Sequence, residues 1–136
     1  MSPYISVSLR RQVIFRAGNR CEYCHLAQDG QAAAFHIDHV VPVKSDGSTS
    51  LDNLALACVS CSLRKSAKET AVDPNSGELV PIFNPRQQNW QENFRWSGVL
   101  LIGVTQIGRV TVATLNLNRP VILAIREEEA YLGRHP

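Results

Sequence analysis

Residues 35–66, FHIDHVVPVKSDGSTSLDNLALACVSCSLRKS, are the stretch that decides the fold. Residues 32–41 favour a β-strand, and the loop at 44–50 carries the Asp-Gly pair typical of turns. The apolar run at 54–57 indicates a second strand or a helical turn, and residues 59–68 predict a short helix. The predicted order is strand, strand, helix.

The four cysteines of the chain form two pairs with the same spacing, Cys21-x2-Cys24 and Cys58-x2-Cys61. Each pair can place two sulfurs on one ion, so the four thiolates predict a tetrahedral Zn²⁺ site. A four-cysteine site leaves no open position for water, and its zinc is therefore structural. Free or disulfide-linked cysteines are the alternative, which this spacing in a cytosolic chain disfavours.

Three residues that handle metals or protons, His36, Asp38 and His39, lie within four positions of the predicted strand. Strand alternation places His36 and Asp38 on one face and His39 on the other, unless the strand bends. A Mg²⁺-like ion needs only one or two protein ligands, and Asp38 can be one. A histidine that titrates near neutral pH can take a proton from water. This pattern predicts metal-assisted phosphodiester hydrolysis.

Composition and charge set broad limits on the protein. A length of 136 residues predicts one domain, and the 44% hydrophobic and 19% charged residues are ordinary for a globular chain. No apolar run is long enough for a membrane span and no secretory signal is recognised, so the predicted location is the cytoplasm. The net charge is only +2, but the basic residues gather around the cysteine pairs. That distribution hints at a polyanionic partner, and scattered solvated charge explains it about as well.

The remaining sequence predicts a supporting scaffold. A helix is expected at 8–17 with Ser6 or Ser8 as its cap, and Trp90 and Phe94 are expected in the core. The other predicted elements are a strand at 78–83, a helix at 87–96, a strand at 99–104, a helix or strand at 110–117, and a last helix at 120–132 capped by Asn118.

The motifs CEYC, HIDHVVP and LDNLALACVSCSLRKS, in this order, resemble the HNH (ββα-metal) endonucleases of the bacterial Cys-Glu-Tyr-Cys type. The resemblance implies an α+β fold with a ββα-metal core, stapled by the four-cysteine zinc site and extended by a C-terminal strand-helix region. We expect a single domain over residues 1–136. Residues 1–70 would hold the first helix, the zinc knuckles and the core, and residues 71–136 would support them.

The resemblance also implies roles for individual residues. Asp38 binds the catalytic ion, Mg²⁺ or Mn²⁺, His39 is the general base, and Asn53 orients that base. The family usually has His or Asn as a second ligand after the last cysteine, where this chain has Ser62. Ser62 can bind the ion through water, or His36 can replace it. The residues expected to contact nucleic acid are Arg64, Lys65, Lys68 and Arg86.

The sequence therefore predicts a metal-dependent endonuclease that nicks DNA, and the resemblance implies that cleavage leaves a 5′-phosphate and a 3′-hydroxyl. RNA stays open as a substrate, and no oligomeric state is predicted. The alternative is a zinc-binding nucleic-acid module with weak or no catalysis, in which Ser62 marks a lost ligand. A redox dithiol protein is a third reading, which predicts reversible thiol oxidation and no bound zinc.

Overall fold

The computed structural model describes residues 4–136 as a mixed α+β fold, which confirms the predicted class. Three two-stranded antiparallel sheets are joined and covered by helices. The elements in chain order are α1 Val7–Arg16, β1 His36–His39, β2 Leu54–Ala57, α2 Val59–Lys65, β3 Thr70–Val72, β4 Leu79–Pro81, α3 Trp90–Asn93, β5 Phe94–Ser97, β6 Leu100–Gly103, α4 Gln106–Thr114 and α5 Pro120–Tyr131.

The ββα unit forms where the sequence predicts it. β1 and β2 pair antiparallel with His36 opposite Ala57 and His39 opposite Leu54. All four residues of β2 are buried, and the strand packs against both α1 and α2. Helix α2 ends at Lys65 and not at residue 68, since Ser66 has a φ of +50° that is incompatible with a continuing helix.

Helix α1 confirms the amphipathic prediction at 8–17. The Ser6 side chain accepts a hydrogen bond from the Leu9 amide and caps the helix. Val13 is fully buried, and Leu9 and Ile14 pack beside it against the core. The apolar stripe of the helix therefore lies on β2.

The predicted helix at 87–96 is wrong. Within residues 87–96, only the four residues of α3 are helical, and β5 follows α3 directly. Phe94 is buried while Arg95 and Ser97 are exposed, which is the period-two pattern of a strand, and Gly98 makes the turn to β6 with a φ of +60°. Phe94 still packs on Trp90, with ring centroids 5.1 Å apart, so both are core residues as predicted.

Two further expectations change in the C-terminal half. Asn118 does not cap α5, whose N-cap is Arg119. The Asn118 side chain instead accepts from the Leu101 amide and donates to the Leu101 carbonyl, both at 2.9 Å, and thereby extends the edge of β6. Residues 110–117, left open between helix and strand, lie in α4 and the turn after it. Strand β3 was not predicted.

The C-terminal half packs against the loop that carries Cys21 and Cys24, here called the first knuckle. Trp90 Nε1 donates to the Tyr23 carbonyl at 2.9 Å, and Arg20 donates to the Arg134 carbonyl at 2.9 Å. Within residues 4–136, no helix has the length and apolar character needed to cross a membrane.

Candidate metal and catalytic site

The four cysteines converge as the sequence predicts. Their sulfurs all lie within 4.8 Å of one another, and Cys24 Sγ and Cys58 Sγ are 3.8 Å apart. Zn–S bonds of about 2.3 Å in a tetrahedron require sulfurs separated by about 3.8 Å. The donor set and its spacing therefore fit one Zn²⁺. Elsewhere in residues 4–136, no group of three or more His, Cys, Asp or Glu side chains comes together in this way.

The local backbone preorganises the knuckles. The Cys24 amide donates to Cys21 Sγ at 3.5 Å, and the Cys61 amide donates to Cys58 Sγ at 3.4 Å. Burial raises the pKa of the Cys21 thiol, whereas hydrogen bonds from the neighbouring cysteines lower the pKa of Cys58. Four buried thiolates would repel one another, and a divalent cation at their centre removes that conflict.

Ser62 links His36 and Asp38. The Ser62 hydroxyl donates to Asp38 Oδ1 at 3.0 Å, and His36 Nδ1 lies 2.8 Å from Ser62 Oγ. Because the hydroxyl proton points to Asp38, the His36 Nδ1–H donates to the serine oxygen. His36 and Asp38, which alternation along β1 predicts to share one face, therefore both contact Ser62 of α2.

His39 points to a different partner, Thr49 in the loop between β1 and β2. His39 Nε2 and Thr49 Oγ1 are 2.9 Å apart. Burial lowers the pKa of His39, although the adjacent Asp38 carboxylate acts in the opposite direction. The imidazole is therefore neutral at pH 7. Thr49 was missed in the sequence, where it is one hydroxyl among several in a polar loop.

Asn53 is buried, at 8% exposure, and holds this loop in place. Its Oδ1 accepts from the Val41 amide, and its Nδ2 donates to the Val41 and Ser48 carbonyls, each at 2.9 Å. These contacts pin the end of β1 and the residue before Thr49. Gly47 lies so close that an added Cβ would stand 1.8 Å from the Val41 carbonyl oxygen, so the loop depends on a glycine there.

Asn53→Ala is expected to lower the free energy of unfolding by about 3 kcal/mol, because the buried Asn53 side chain makes three hydrogen bonds and their loss leaves the Val41 backbone groups without their partner. Urea denaturation of the zinc-loaded variant measures the change. Asn75→Ala, at an exposed turn, is the control. A loss no larger than that of Asn75→Ala would contradict the bracing role of Asn53.

The four predicted nucleic-acid contacts separate into two groups. Arg64 and Lys68 are exposed. Lys65 is only 2% exposed, and its Nζ donates to the Val40 carbonyl at 3.1 Å. Burial lowers the pKa of Lys65, and Asp38 opposes that shift. Arg86 is half-buried and paired with Glu22.

Comparison with known families agrees with this geometry. A family model described as HNH endonuclease matches residues 21–68, which is 48 of the 136 residues. No curated protein matches the chain. The matched segment runs from the first zinc cysteine through β1, β2 and α2. Residues 21–68, with their four converging cysteines and their ββα order, therefore match the HNH endonuclease family, which at the family level supports nuclease activity on nucleic acid.

Proposed function

We propose that the protein is a metal-dependent endonuclease that nicks DNA, with His39 as general base and Asp38 as the main ligand of the catalytic ion. The observation that carries the proposal is that adjacent residues of β1 are held by different elements. Asp38 is held by Ser62 of α2, and His39 by Thr49 of the loop. A carboxylate and a neutral imidazole at consecutive positions of β1 are thereby each held by a hydrogen bond.

The residues present fit a hydrated divalent ion. Asp38 would hold Mg²⁺ or Mn²⁺, with Ser62 or His36 as a second contact, because such ions keep several waters and need few protein ligands. The bound ion supplies positive charge that stabilises the phosphate and the leaving oxygen. The Ser62 hydroxyl donates a hydrogen bond to Asp38 Oδ1, and this contact orients the carboxylate before the ion binds.

His39 performs the proton transfer in this proposal. If Nε2–H donates to the Thr49 hydroxyl, Nδ1 keeps its lone pair and can accept a proton from the attacking water. The water oxygen then bonds to phosphorus, and the 3′-oxygen leaves and takes up a proton. The products are a 5′-phosphate and a 3′-hydroxyl. Asn53 serves His39 indirectly, by fixing the loop that carries Thr49.

Nucleic acid would approach along the exposed side of α2. Arg64 and Lys68 are exposed cations that can contact phosphates, and such contacts are independent of sequence. DNA is the proposed substrate. Incubation with matched DNA and RNA oligonucleotides tests this choice, and cleavage of RNA alone would overturn it. The cytoplasmic location stays a prediction from the sequence.

Ser62→Ala is expected to weaken the binding of Mn²⁺ by about tenfold, because Asp38 loses the hydroxyl that orients it. Ser62→Asn is expected to raise Mn²⁺ affinity or nicking rate, since it restores the ligand type usual in the family. Titration of zinc-loaded protein with Mn²⁺, followed by electron paramagnetic resonance, measures the affinity of both variants, and plasmid nicking measures their rates. Ser60→Ala on the same helix is the control. Equal affinity in Ser62→Ala and wild type would exclude Ser62 from the ion site.

A zinc-binding nucleic-acid module without catalysis is the second candidate, favoured by the serine that stands where the family has a ligand. Nicking of supercoiled plasmid with Mg²⁺ or Mn²⁺ separates the two functions. An inactive wild type that still binds DNA would leave the binding module.

A further inference from the structure

The sheet that carries the catalytic residues has only two strands, so β2 has an outer edge that no strand covers within residues 4–136. In an antiparallel pair, alternate residues turn their N–H and C=O groups away from the partner strand. On β2 these residues are Leu54 and Leu56. A two-stranded sheet depends on its surroundings for stability, so the partners of this edge contribute, with the packing of α1 and α2, to how firmly the site is held.

All four outward groups of this edge have partners. The Glu22 amide donates to the Leu56 carbonyl at 2.8 Å, and the Leu56 amide donates to Glu22 Oε2 at 2.8 Å. The Leu54 amide donates to the Ser50 carbonyl at 3.0 Å. Glu22 therefore imitates one residue of a third strand, with its own carboxylate in place of a backbone carbonyl.

Two arginines from distant parts of the chain complete the edge. The Leu54 carbonyl accepts from Arg16 Nη2 at 2.5 Å and from Arg86 Nη1 at 3.3 Å. Arg86 Nη2 also forms an ion pair with the Glu22 carboxylate. The Glu22 and Arg86 side chains are only 11% and 13% exposed, so each needs the other's charge. We call Glu22, Arg86 and Arg16 the edge clamp.

We infer that the edge clamp is the positioning device of the active site, and that Arg86 acts through it and not by contacting phosphate. Leu54 lies opposite His39, and its neighbour Ala55 lies opposite Asp38. Slipping or fraying of β2 would move both functional side chains, because register determines which face each residue occupies. The edge clamp therefore ties α1, the first knuckle and the segment before α3 to the geometry of the site.

The inference rests on the proposed nuclease function for its kinetic consequence, but its structural part can be tested separately. Amide hydrogen exchange at Leu56, read by NMR on zinc-loaded protein, reports the edge directly. We expect Glu22→Ala to speed this exchange by at least about tenfold, because the amide loses its buried acceptor. Glu22→Gln keeps an acceptor oxygen for Leu56 and should restore most of the protection.

Arg86→Lys decides between positioning and phosphate contact. It keeps the positive charge but loses the planar fork that reaches Glu22 and Leu54 together. We expect faster Leu56 exchange, a kcat for nicking lowered by about 10²-fold, and unchanged KM and DNA affinity. Arg95→Lys, an exposed arginine on β5, is the matched control and should change none of these.

Two outcomes would overturn the inference. Arg86→Met that weakens DNA binding and reduces the salt dependence of log K by about one unit, with unchanged Leu56 exchange, would assign Arg86 to a phosphate. Unchanged exchange in Glu22→Ala and Arg86→Lys, with zinc still bound, would show that the edge holds without the clamp. If wild-type protein fails to nick, the exchange data still decide on the clamp, and only the proposed function fails.

Discussion

Replacing His39 with alanine is expected to slow plasmid nicking by about 10²–10⁴-fold, the usual contribution of a general base. The expectation follows from the surroundings of His39, whose pKa burial lowers and whose Nε2 is hydrogen-bonded to Thr49, one position after Asp38 on β1. The loss should appear in kcat, with DNA affinity and zinc content unchanged. Conversion of supercoiled to open-circular plasmid with Mg²⁺ or Mn²⁺ measures the rate.

Two control variants make this experiment specific. His135→Ala removes a histidine that contacts Gly98 and Trp96 far along the chain, and it should nick at the wild-type rate. Thr49→Val removes the partner of His39 but leaves the imidazole, so a smaller loss is expected. Equal rates for His39→Ala and wild type would show that His39 is not the base.

Removal of the zinc is expected to unfold the protein. Structural zinc sites contribute about 10–16 kcal/mol, which is comparable to the whole stability of a domain of this size. The four cysteines are buried and bring the first knuckle together with the end of β2 and with α2, so loss of the ion leaves four buried thiols where these three parts meet. Chelation, or Cys61→Ser, should therefore abolish the near-ultraviolet circular dichroism of the folded chain.

The zinc must be distinguished from the catalytic ion in the same experiment. Purified protein should contain one Zn²⁺ per chain, bound by the four cysteines. Asp38→Asn should keep this zinc and the wild-type melting temperature while losing nicking activity. Adding Mg²⁺ to the chelated protein should not restore the fold. A stable, zinc-free protein with reversibly oxidised thiols would instead support the redox reading.

Local sequence patterns predicted the secondary structure correctly where the residues of a single element are enough to stabilise it. Helix α1 has a serine cap and an apolar stripe, and both work within a single helix. The segment at 87–96 was read as helical because Trp90 and Phe94 are four residues apart. Phe94 begins a strand because β6 supplies backbone hydrogen-bond partners across the Gly98 turn. The helical spacing of Trp90 and Phe94 gives no information about those partners.

The sequence by itself determined the four-cysteine cluster, the ββα order and the adjacent Asp38–His39 pair, since short spacings and a specific motif encode them. Only the tertiary structure decided what holds these residues. Thr49 reaches His39 across the loop, Lys65 turns inward to Val40, and Arg86 meets Glu22 across 64 positions of chain. Such contacts depend on which polar groups become buried when the whole chain folds. A buried polar group without a hydrogen-bond partner costs free energy, so its partner can come from a residue far away in the sequence.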